Sequence, residues 1–302
     1  MFAAEVLSAL VEHCYESGER RHFDLGLARR HRDQSLVSFL SDLIRCYFIA
    51  ATDSNTLLCK NGLKSLKRVI ILFKNAQDPD VEDSNLLEQY QANIGAALRP
   101  GFSPDALPEV SELASSVASE WLCSGVASSI NAIQRVYRLM VSSLDAIRLP
   151  SKAPIYPEKS IEQKNRATIE AWAEIFVTAV EQSQIPQAKN REFPPDGLLN
   201  LVDCEIKDLK YLWCDYLYKT PRDSAQNSVI LHAIALLNKD GLWKHEERQT
   251  MIQVRPEPNP SHVQSIFQGH IGVISRNTAQ TTISSTIGNS KSFYIGVGCS
   301  SQ

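Results

Sequence analysis

The chain has 302 residues, of which 43% are hydrophobic, and it carries 31 Lys and Arg against 34 Asp and Glu for a formal net charge of -3. This length and composition suit a packed core and exclude a globally disordered chain. The near-neutral charge balance gives no broad electrostatic attraction to polyanions, so nucleic acid is not predicted as a partner.

Cysteine usage and hydropathy point to an intracellular protein without an integral membrane segment. The seven cysteines are an odd number, form no Cys-x-x-Cys pair and lie mostly within apolar helical patterns, as free thiols of a reducing compartment do. The N-terminal stretch MFAAEVLSALVEHCYE has acidic residues and no basic region, which argues against a secretory signal. The longest strongly apolar run, VIILF at 69–73, is far shorter than the roughly 20 residues that a membrane helix needs.

Amphipathic helices are predicted through most of the chain before residue 251, because apolar residues recur with the 3.6-residue helical period. The first helix, 2–17, has an apolar face that we expect to cover the N-terminal end of the helical array. The later stripes, in chain order, are Leu36-Leu40-Leu43-Tyr47-Ala50, Cys59-Leu63-Leu66-Ile70-Phe73, Ile130-Ile133-Tyr137-Met140-Leu144-Ile147, Ile169-Trp172-Phe176-Val180 and Val202-Ile206-Leu209-Trp213-Tyr216.

Proline-containing segments separate these stripes and mark helix ends, because proline removes a backbone donor and clashes with the preceding turn. Successive pairs of helices start about 40 to 70 residues apart, near the ~40–47-residue period of HEAT and armadillo repeats. Periodicity alone favours an α-solenoid and an irregular helical bundle equally. The predicted pairs are 34–51 with 54–74, 85–98 with 110–124, 127–148 with 160–183, and 198–218 with 226–239.

The composition changes near residue 250 and predicts two regions. Residues 1–250 form the helical repeat region, whereas 251–302 begin with the linker-like RPEPNPSH and continue rich in Ser, Thr and Gly. Such a segment buries too little apolar surface to offset the entropy of ordering, so we expect a disordered tail.

No stretch carries a catalytic, metal or cofactor motif, and the chain is therefore predicted not to be an enzyme and to need no cofactor. The acidic DPDVEDS at 78–84 resembles the start of a calcium loop, but Asp83 replaces the required glycine and Gln89 the required glutamate. The histidines form no HxxxH pair, and the nucleophile-elbow and P-loop patterns are absent.

The densest basic stretch is ERRHFDLGLARRHRD at 19–33. It is compatible with a solvated surface and with a surface for an acidic partner or a phosphate group. A peripheral membrane or phosphoinositide-binding module using this stretch is the alternative function, and the acidic loop at 78–83 is a second candidate surface. The candidate partner-binding residues are Arg20, Arg21, Arg29, Arg30 and Arg32.

Two long segments, LSDLIRCYFIAATDSNTLLCKNGLKSLKRVI at 40–70 and LEQYQANIGAALRPGF at 87–102, resemble the HEAT repeat-containing protein 5 family. The likeness spans roughly residues 22–241. Because family members are far longer, we expect this chain to be an internal piece, a truncated isoform or a partial gene model. The resemblance implies an all-α fold, an α-solenoid of HEAT-like antiparallel helix pairs. In 87–102, the residues that would face a neighbouring helix are Leu87, Tyr90, Ile94, Ala97 and Leu98. Small residues at 95–97 would allow its close approach, and Arg99-Pro100-Gly101 would end the helix.

The function implied by the resemblance is that of a non-enzymatic scaffold. Members of this family are large accessory subunits of the trans-Golgi clathrin adaptor. The implied partners are therefore the clathrin adaptor and its accessory subunits, aftiphilin and gamma-synergin. The implied role is vesicle trafficking between endosomes and the trans-Golgi network. The implied location is cytoplasmic and peripheral to those vesicles, with any membrane association made through partners.

Overall fold

The computed structural model describes residues 2–31, 35–82, 84–149, 155–184, 194, 197–219 and 227–239. Within them no β-strand occurs, only an isolated bridge between Gln77 and Asn85. The predicted all-α class is confirmed, while the tail at 251–302 and its predicted disorder lie outside the described residues. The α-helices are α1 (Phe2–Glu16), α2 (Leu25–His31), α3 (Leu40–Ala51), α4 (Thr56–Phe73), α5 (Gln91–Leu98), α6 (Pro108–Cys123), α7 (Ile130–Arg148), α8 (Glu158–Ser183), α9 (Gly197–Asp203), α10 (Ile206–Lys219) and α11 (Ser228–Lys239).

Residues 1–233 form one compact unit and 234–302 a second, of which only 234–239 are described. In the first unit the helices form two layers. Helices α4, α6 and α8 pack side by side in one layer, and α3, α5 and α7 pack in the other. Each layer is therefore built from every second helix between α3 and α8, which is the arrangement of an α-solenoid. The predicted solenoid is confirmed.

Side-chain contacts show how α4 and α6 are aligned. The Lys60 ammonium binds the Glu109 carboxylate, and Lys67 Nζ donates to Ser116 Oγ at 2.6 Å. Both pairs are separated by 49 residues in sequence. Because the two residue numbers rise together along the interface, α4 and α6 run parallel and in register, as equivalent helices of successive repeats do.

The same relation continues on both sides of this interface. Between α6 and α8, Ser119 Oγ donates to Glu174 at 2.7 Å, a separation of 55 residues. Between α1 and α4, the Ser8 and Ser65 hydroxyls lie 2.6 Å apart at a separation of 57 residues. Helix α1 thus occupies the place of a repeat helix, parallel to α4 and beside it.

Helix α1 packs on the array, but the prediction that it does so through its apolar face is wrong. Val6 and Leu10 are 50% and 51% exposed, whereas Val11, on the side nearer α4, is 2% exposed. Helix α1 covers α4 mainly through Ser8, Val11 and Glu12, and its most apolar stripe faces away from the array. The Arg68–Glu12 ion pair and the Ser8–Ser65 hydroxyl contact, not apolar packing alone, hold it in place.

The predicted stripes form the core between the two layers. Trp121, Trp172 and Trp213 are completely buried, and Trp213 Nε1 donates to the Ile169 carbonyl at 3.1 Å. The fourth tryptophan, Trp243, lies outside the described residues. Of the residues in the five later stripes, all are buried except Ile130, Ile147 and Tyr216, which are partly exposed.

The segment 85–102 differs in detail from the single helix predicted for 85–98. It begins with a 3-10 helix at Glu88–Tyr90, continues as α5 and ends with a second 3-10 helix at Arg99–Phe102. Ile94 and Leu98 are completely buried, as predicted. The chain therefore turns at Arg99-Pro100-Gly101 while keeping one more turn of helix.

The predicted helix 198–218 is divided into α9 and α10 by a break at residues 204–205. Arg148, at the end of α7, forms ion pairs with Asp145, Glu205 and Asp208. Glu205 therefore lies at the break and connects it to the previous repeat. The break therefore coincides with a contact between repeats, which apolar periodicity does not reveal.

Candidate partner-binding surface

The basic segment connects α1 to α3 and folds against the end of α4. Gly18, with a φ of +68°, reverses the chain after α1, a conformation that favours glycine. The ring of Phe23 then packs on that of Phe73, with centroids 5.4 Å apart. His22 Nδ1 accepts a hydrogen bond from the Leu36 N–H at 3.2 Å, so the neutral imidazole carries its proton on Nε2. These contacts hold the backbone that bears the arginines.

The acidic loop that follows α4 is held in turn by its own hydrogen bonds. The Asn85 side chain donates to the Lys74 carbonyl at 2.6 Å and accepts from the Leu87 N–H at 2.8 Å. The Asp78 carboxylate accepts from the Asp80 N–H at 2.9 Å. The Asp80 side chain is thereby placed at the tip of a closed loop.

The structure brings the two candidate surfaces together. Arg29 donates from both terminal nitrogens to the two Asp80 carboxylate oxygens, at 2.7 and 2.9 Å. The Arg29 guanidinium holds the pKa of Asp80 below its usual range, so the pair is charged at neutral pH. Such a bidentate pair fixes geometry as well as charge. One of the candidate arginines and one carboxylate of the acidic loop are therefore neutralised by each other within the fold.

The remaining candidate arginines differ in their surroundings. Arg20, in the 3-10 helix Arg20–His22, and Arg30, in α2, are exposed and form no ion pair with a described residue. Arg21 Nε donates to Glu19 at 2.5 Å. Arg32 lies outside the described residues. The binding role of all five arginines stays a prediction.

A second charged surface, which the sequence analysis did not identify, runs across α1, α4 and α6. Helix α1 contributes three glutamates, α4 contributes four lysine and arginine residues and no acid, and α6 contributes three glutamates and no base. Lys60 holds the pKa of Glu109 below its usual value. The heptad spacing of Lys60, Lys67 and Lys74 was the sequence signal for this surface.

Metal and membrane features can be assessed only in the described part of the chain. There, no three His, Cys, Asp or Glu side chains come together as a set of metal ligands would. No helix in the described ranges has both the length and the apolar character needed to cross a bilayer.

Sequence comparisons identify the family of this two-layered array. The model of the Laa1/Sip1/HEATR5 HEAT repeat region matches residues 35–220, which is more than half of the chain. The chain belongs to this family. The match begins at the turn before α3 and ends just after α10, so it covers the consecutive repeats whose register the side-chain pairs define.

Two curated relatives support the assignment. The AP-1 accessory protein LAA1 of Saccharomyces cerevisiae is 28% identical over 234 residues, covering 74% of this chain and 11% of that protein. Protein SWEETIE of Arabidopsis thaliana is 31% identical over 152 residues, covering 48% of this chain and 7% of that protein. The chain thus spans about a tenth of the length of these relatives. No solved structure matches it significantly.

Proposed function

We propose that this region is a non-enzymatic scaffold of a clathrin-adaptor accessory protein, acting in vesicle traffic between endosomes and the trans-Golgi network. The observation that carries the proposal is membership of the Laa1/Sip1/HEATR5 family, together with similarity to a protein named as an AP-1 accessory protein. The direct partners proposed are the AP-1 clathrin adaptor and its accessory subunits, on the cytoplasmic side of these membranes.

The architecture supports a scaffold role because a stack of helix pairs presents long outer surfaces while each pair is buried on its neighbours. Helix α3 illustrates such a surface. Its inner residues Leu43 and Tyr47 are buried, and its outer residue Ile49 is 55% exposed, as is 46% of Phe39 immediately before the helix. A partner can therefore bind the outer side of a layer without disturbing the core.

Within the basic segment, we propose that Arg20 and Arg30 contribute to partner binding and that Arg29 does not. Arg29 is already engaged by Asp80, so a partner carboxylate would have to displace a bidentate ion pair. Arg20 and Arg30 have no such competitor among the described residues. Charges at an interface rim mainly affect the association rate and its salt dependence.

The test is binding of purified AP-1 to the immobilised full chain, measured as association rates at several salt concentrations. We expect the wild type to bind, and the double variant R20E/R30E to associate more slowly and with a weaker salt dependence. Lys159→Glu, a charge reversal at an exposed residue of α8, serves as the control. Absence of wild-type binding would refute an adaptor contact in this region, and unchanged R20E/R30E kinetics would exclude the two arginines.

The alternative, a membrane module that uses the 19–33 stretch, is not favoured by any contact described above. The Arg29–Asp80 and Arg21–Glu19 pairs reduce the positive charge that would attract anionic lipid. We therefore propose only the scaffold function.

A further inference from the structure

The two layers differ in how the charges on their outer surfaces are compensated. In the layer that contains α4 and α6, cations pair with the neighbouring helix, Arg68 with Glu12 of α1 and Lys60 with Glu109 of α6. In the other layer, no ion pair between described residues joins α3 to α5 or α5 to α7. The outer surface of this second layer therefore keeps its charges available for a partner.

Arginines are exposed at four positions on the outer surface of the α3, α5 and α7 layer. Arg45 lies on α3, Arg99 directly follows α5, and Arg135 and Arg138 lie on α7. None of the four forms an ion pair with a described residue. Arg135 Nε donates only to a carbonyl one turn earlier in its own helix, at 3.1 Å.

Carboxylates are few on the same three helices. Their sequences contain only Asp42, on α3, and Asp145, near the end of α7. Asp145 is already paired with Arg148, so Asp42 alone offsets the four exposed arginines. The surface therefore has a net positive charge and is complementary to an acidic partner.

Short side chains on α5 leave a groove between α3 and α7. On this surface Ala92 is exposed, and Gly95 and Ala96 are partly exposed. Helix α7 lies directly alongside, since a Cβ at Gly95 would meet Val136 at 3.8 Å. Neighbouring packed helices have axes ~8–10 Å apart, so α3 and α7 are about 16–20 Å apart. A further helix, roughly 10–12 Å in diameter, fits between them.

The α3 wall of this groove also offers an apolar contact. Ile49 is 55% exposed and lies one helical turn after Arg45. The wall thus combines an aliphatic side chain with a cation, and the floor formed by α5 is lined with alanine and glycine. This combination suits an amphipathic partner, because an apolar stripe and charged flanks are both matched.

We propose that the groove over α5 binds an amphipathic helix of a partner protein. The apolar stripe of that helix lies over Ala92 and against Ile49, and its aspartates and glutamates flank the stripe on both sides. They pair with Arg45 on one wall and with Arg135 and Arg138 on the other. The inference rests on the scaffold function proposed above and specifies the chemistry of one partner segment.

The shape of the groove favours a helix over an anionic membrane. A flat bilayer would meet the long arginine side chains of the two walls without reaching the alanines between them, whereas a helix contacts both. Guanidinium groups also form bidentate pairs with carboxylates, and the geometry of these pairs fixes the orientation of the bound helix.

Binding to the full chain is tested by fluorescence anisotropy with a labelled model helix. The probe is an alanine-based peptide of about 18 residues, ~27 Å long, with a leucine stripe flanked on both sides by glutamates. The comparison peptide has glutamine in place of every glutamate. We expect the acidic peptide to bind at least about five times more tightly, with a difference that decreases as salt is added. Equal affinities, or no binding of the acidic peptide, would overturn the proposal.

Charge-removing variants locate the site. R45Q/R135Q/R138Q removes the cations of both walls at exposed positions, and we expect it to bind the acidic peptide about fivefold more weakly. The control K64Q/K159Q/K207Q removes three charges at exposed lysines of α4, α8 and α10, and should bind as the wild type does. Wild-type affinity in the arginine variant, or an equal loss in the lysine variant, would refute binding at the groove.

A second pair of variants tests the floor of the groove without changing charge. Ala92→Gln places a longer side chain on the outer side of α5, and we expect it to weaken peptide binding severalfold. Ala146→Gln, at an exposed position near the end of α7, is the matched control and should leave the affinity unchanged. If Ala92→Gln binds as tightly as Ala146→Gln, the partner helix does not lie over α5.

Vesicle flotation tests the competing occupant. The chain is mixed with phosphatidylcholine vesicles, with and without phosphatidylserine. We expect no flotation that depends on the groove arginines. Flotation that requires phosphatidylserine, is lost in R45Q/R135Q/R138Q and persists in Ala92→Gln would assign the surface to an anionic membrane and overturn the proposal.

The AP-1 association assay separates failure of this inference from failure of the proposed function. If the acidic peptide binds at the groove but AP-1 does not bind the chain, the groove is retained and the adaptor contact is refuted. If AP-1 binds the wild type but the acidic peptide does not bind, the proposed function is retained and the groove is refuted.

Discussion

Replacing Gly62 by alanine provides a sharp test of how closely the two layers pack. In an exposed helix interior, Gly→Ala stabilises by about 1 kcal/mol, because glycine has the larger backbone entropy to lose. Gly62 is buried in α4 where that helix meets the end of α3. A Cβ at this position would lie 2.4 Å from the Ala51 backbone nitrogen and 2.7 Å from the Ala50 carbonyl carbon.

The expected sign is therefore reversed. The obstructing atoms belong to a backbone and not to a flexible side chain, so α3 and α4 have to separate. Overpacking of this kind costs about 1–3 kcal/mol, which exceeds the gain in helix propensity over most of that range. We expect a net loss of up to about 2 kcal/mol. For a chain of this size, that loss corresponds to a decrease in melting temperature of up to roughly 8 °C.

The matched control is Gly95→Ala in α5. There a Cβ would meet only Val136 Cγ2, at 3.8 Å, which is ordinary van der Waals contact. We expect Gly95→Ala to raise the melting temperature slightly, as the propensity difference predicts. Both variants are compared with the wild type by circular dichroism at 222 nm. If Gly62→Ala raises the melting temperature as much as Gly95→Ala does, α3 and α4 do not approach each other as closely as described.

Three further changes test the core and its thiols. Ile94→Asp should lower the free energy of unfolding by roughly several kcal/mol, because it buries an unpaired charge. Asn93→Asp, at the preceding and exposed position, should change it little. Equal melting temperatures for the two variants would show that Ile94 is not in the core. Tyr137→Phe removes a 2.6 Å hydrogen bond to a carbonyl of α9 and should cost about 1 kcal/mol in chemical denaturation; an unchanged midpoint would contradict that bond. Burial raises the pKa of Cys123 to about 12, although the residue keeps some exposed surface. The thiolate is therefore scarce at pH 8, and iodoacetamide should label exposed Cys46 faster than Cys123, as followed by mass spectrometry. Equal labelling rates would show that the pKa of Cys123 is not raised.

The helical stripes were predictable because a helix that buries one face has apolar residues at every third or fourth position. The stripe containing Leu63 and Ile70 is fully buried, as is that containing Trp172 and Phe176. The choice between a bundle and a solenoid was not predictable from periodicity, because both bury one face of each helix. Family resemblance decided that choice, and the regular sequence separation of contacts between parallel helices agrees with it.

Helix ends and the surroundings of the Tyr47 hydroxyl could not be predicted from the sequence. The break between α9 and α10 coincides with ion pairing of Glu205 to Arg148, a contact between residues 57 positions apart. Tyr47 belongs to an apolar stripe, and its position in that stripe is correct. Its hydroxyl lies beside the Ser8 and Ser65 hydroxyls only because α1 packs against α4. Neither feature has a local signal.

The same repeat geometry explains which charges of the basic segment are paired within the fold. In a solenoid, a side chain on one edge of a repeat meets the following repeat about one period further along the chain. Arg29 pairs with Asp80 across 51 residues, and Lys60 pairs with Glu109 across 49. A run of like charge in one repeat is therefore a candidate binding surface only where the residues one period away do not carry the opposite charge. By this criterion the arginines of 19–33 are not equivalent, since Arg29 is paired with the following repeat, whereas Arg20 and Arg30 form no ion pair with a described residue and remain the proposed partner-binding residues.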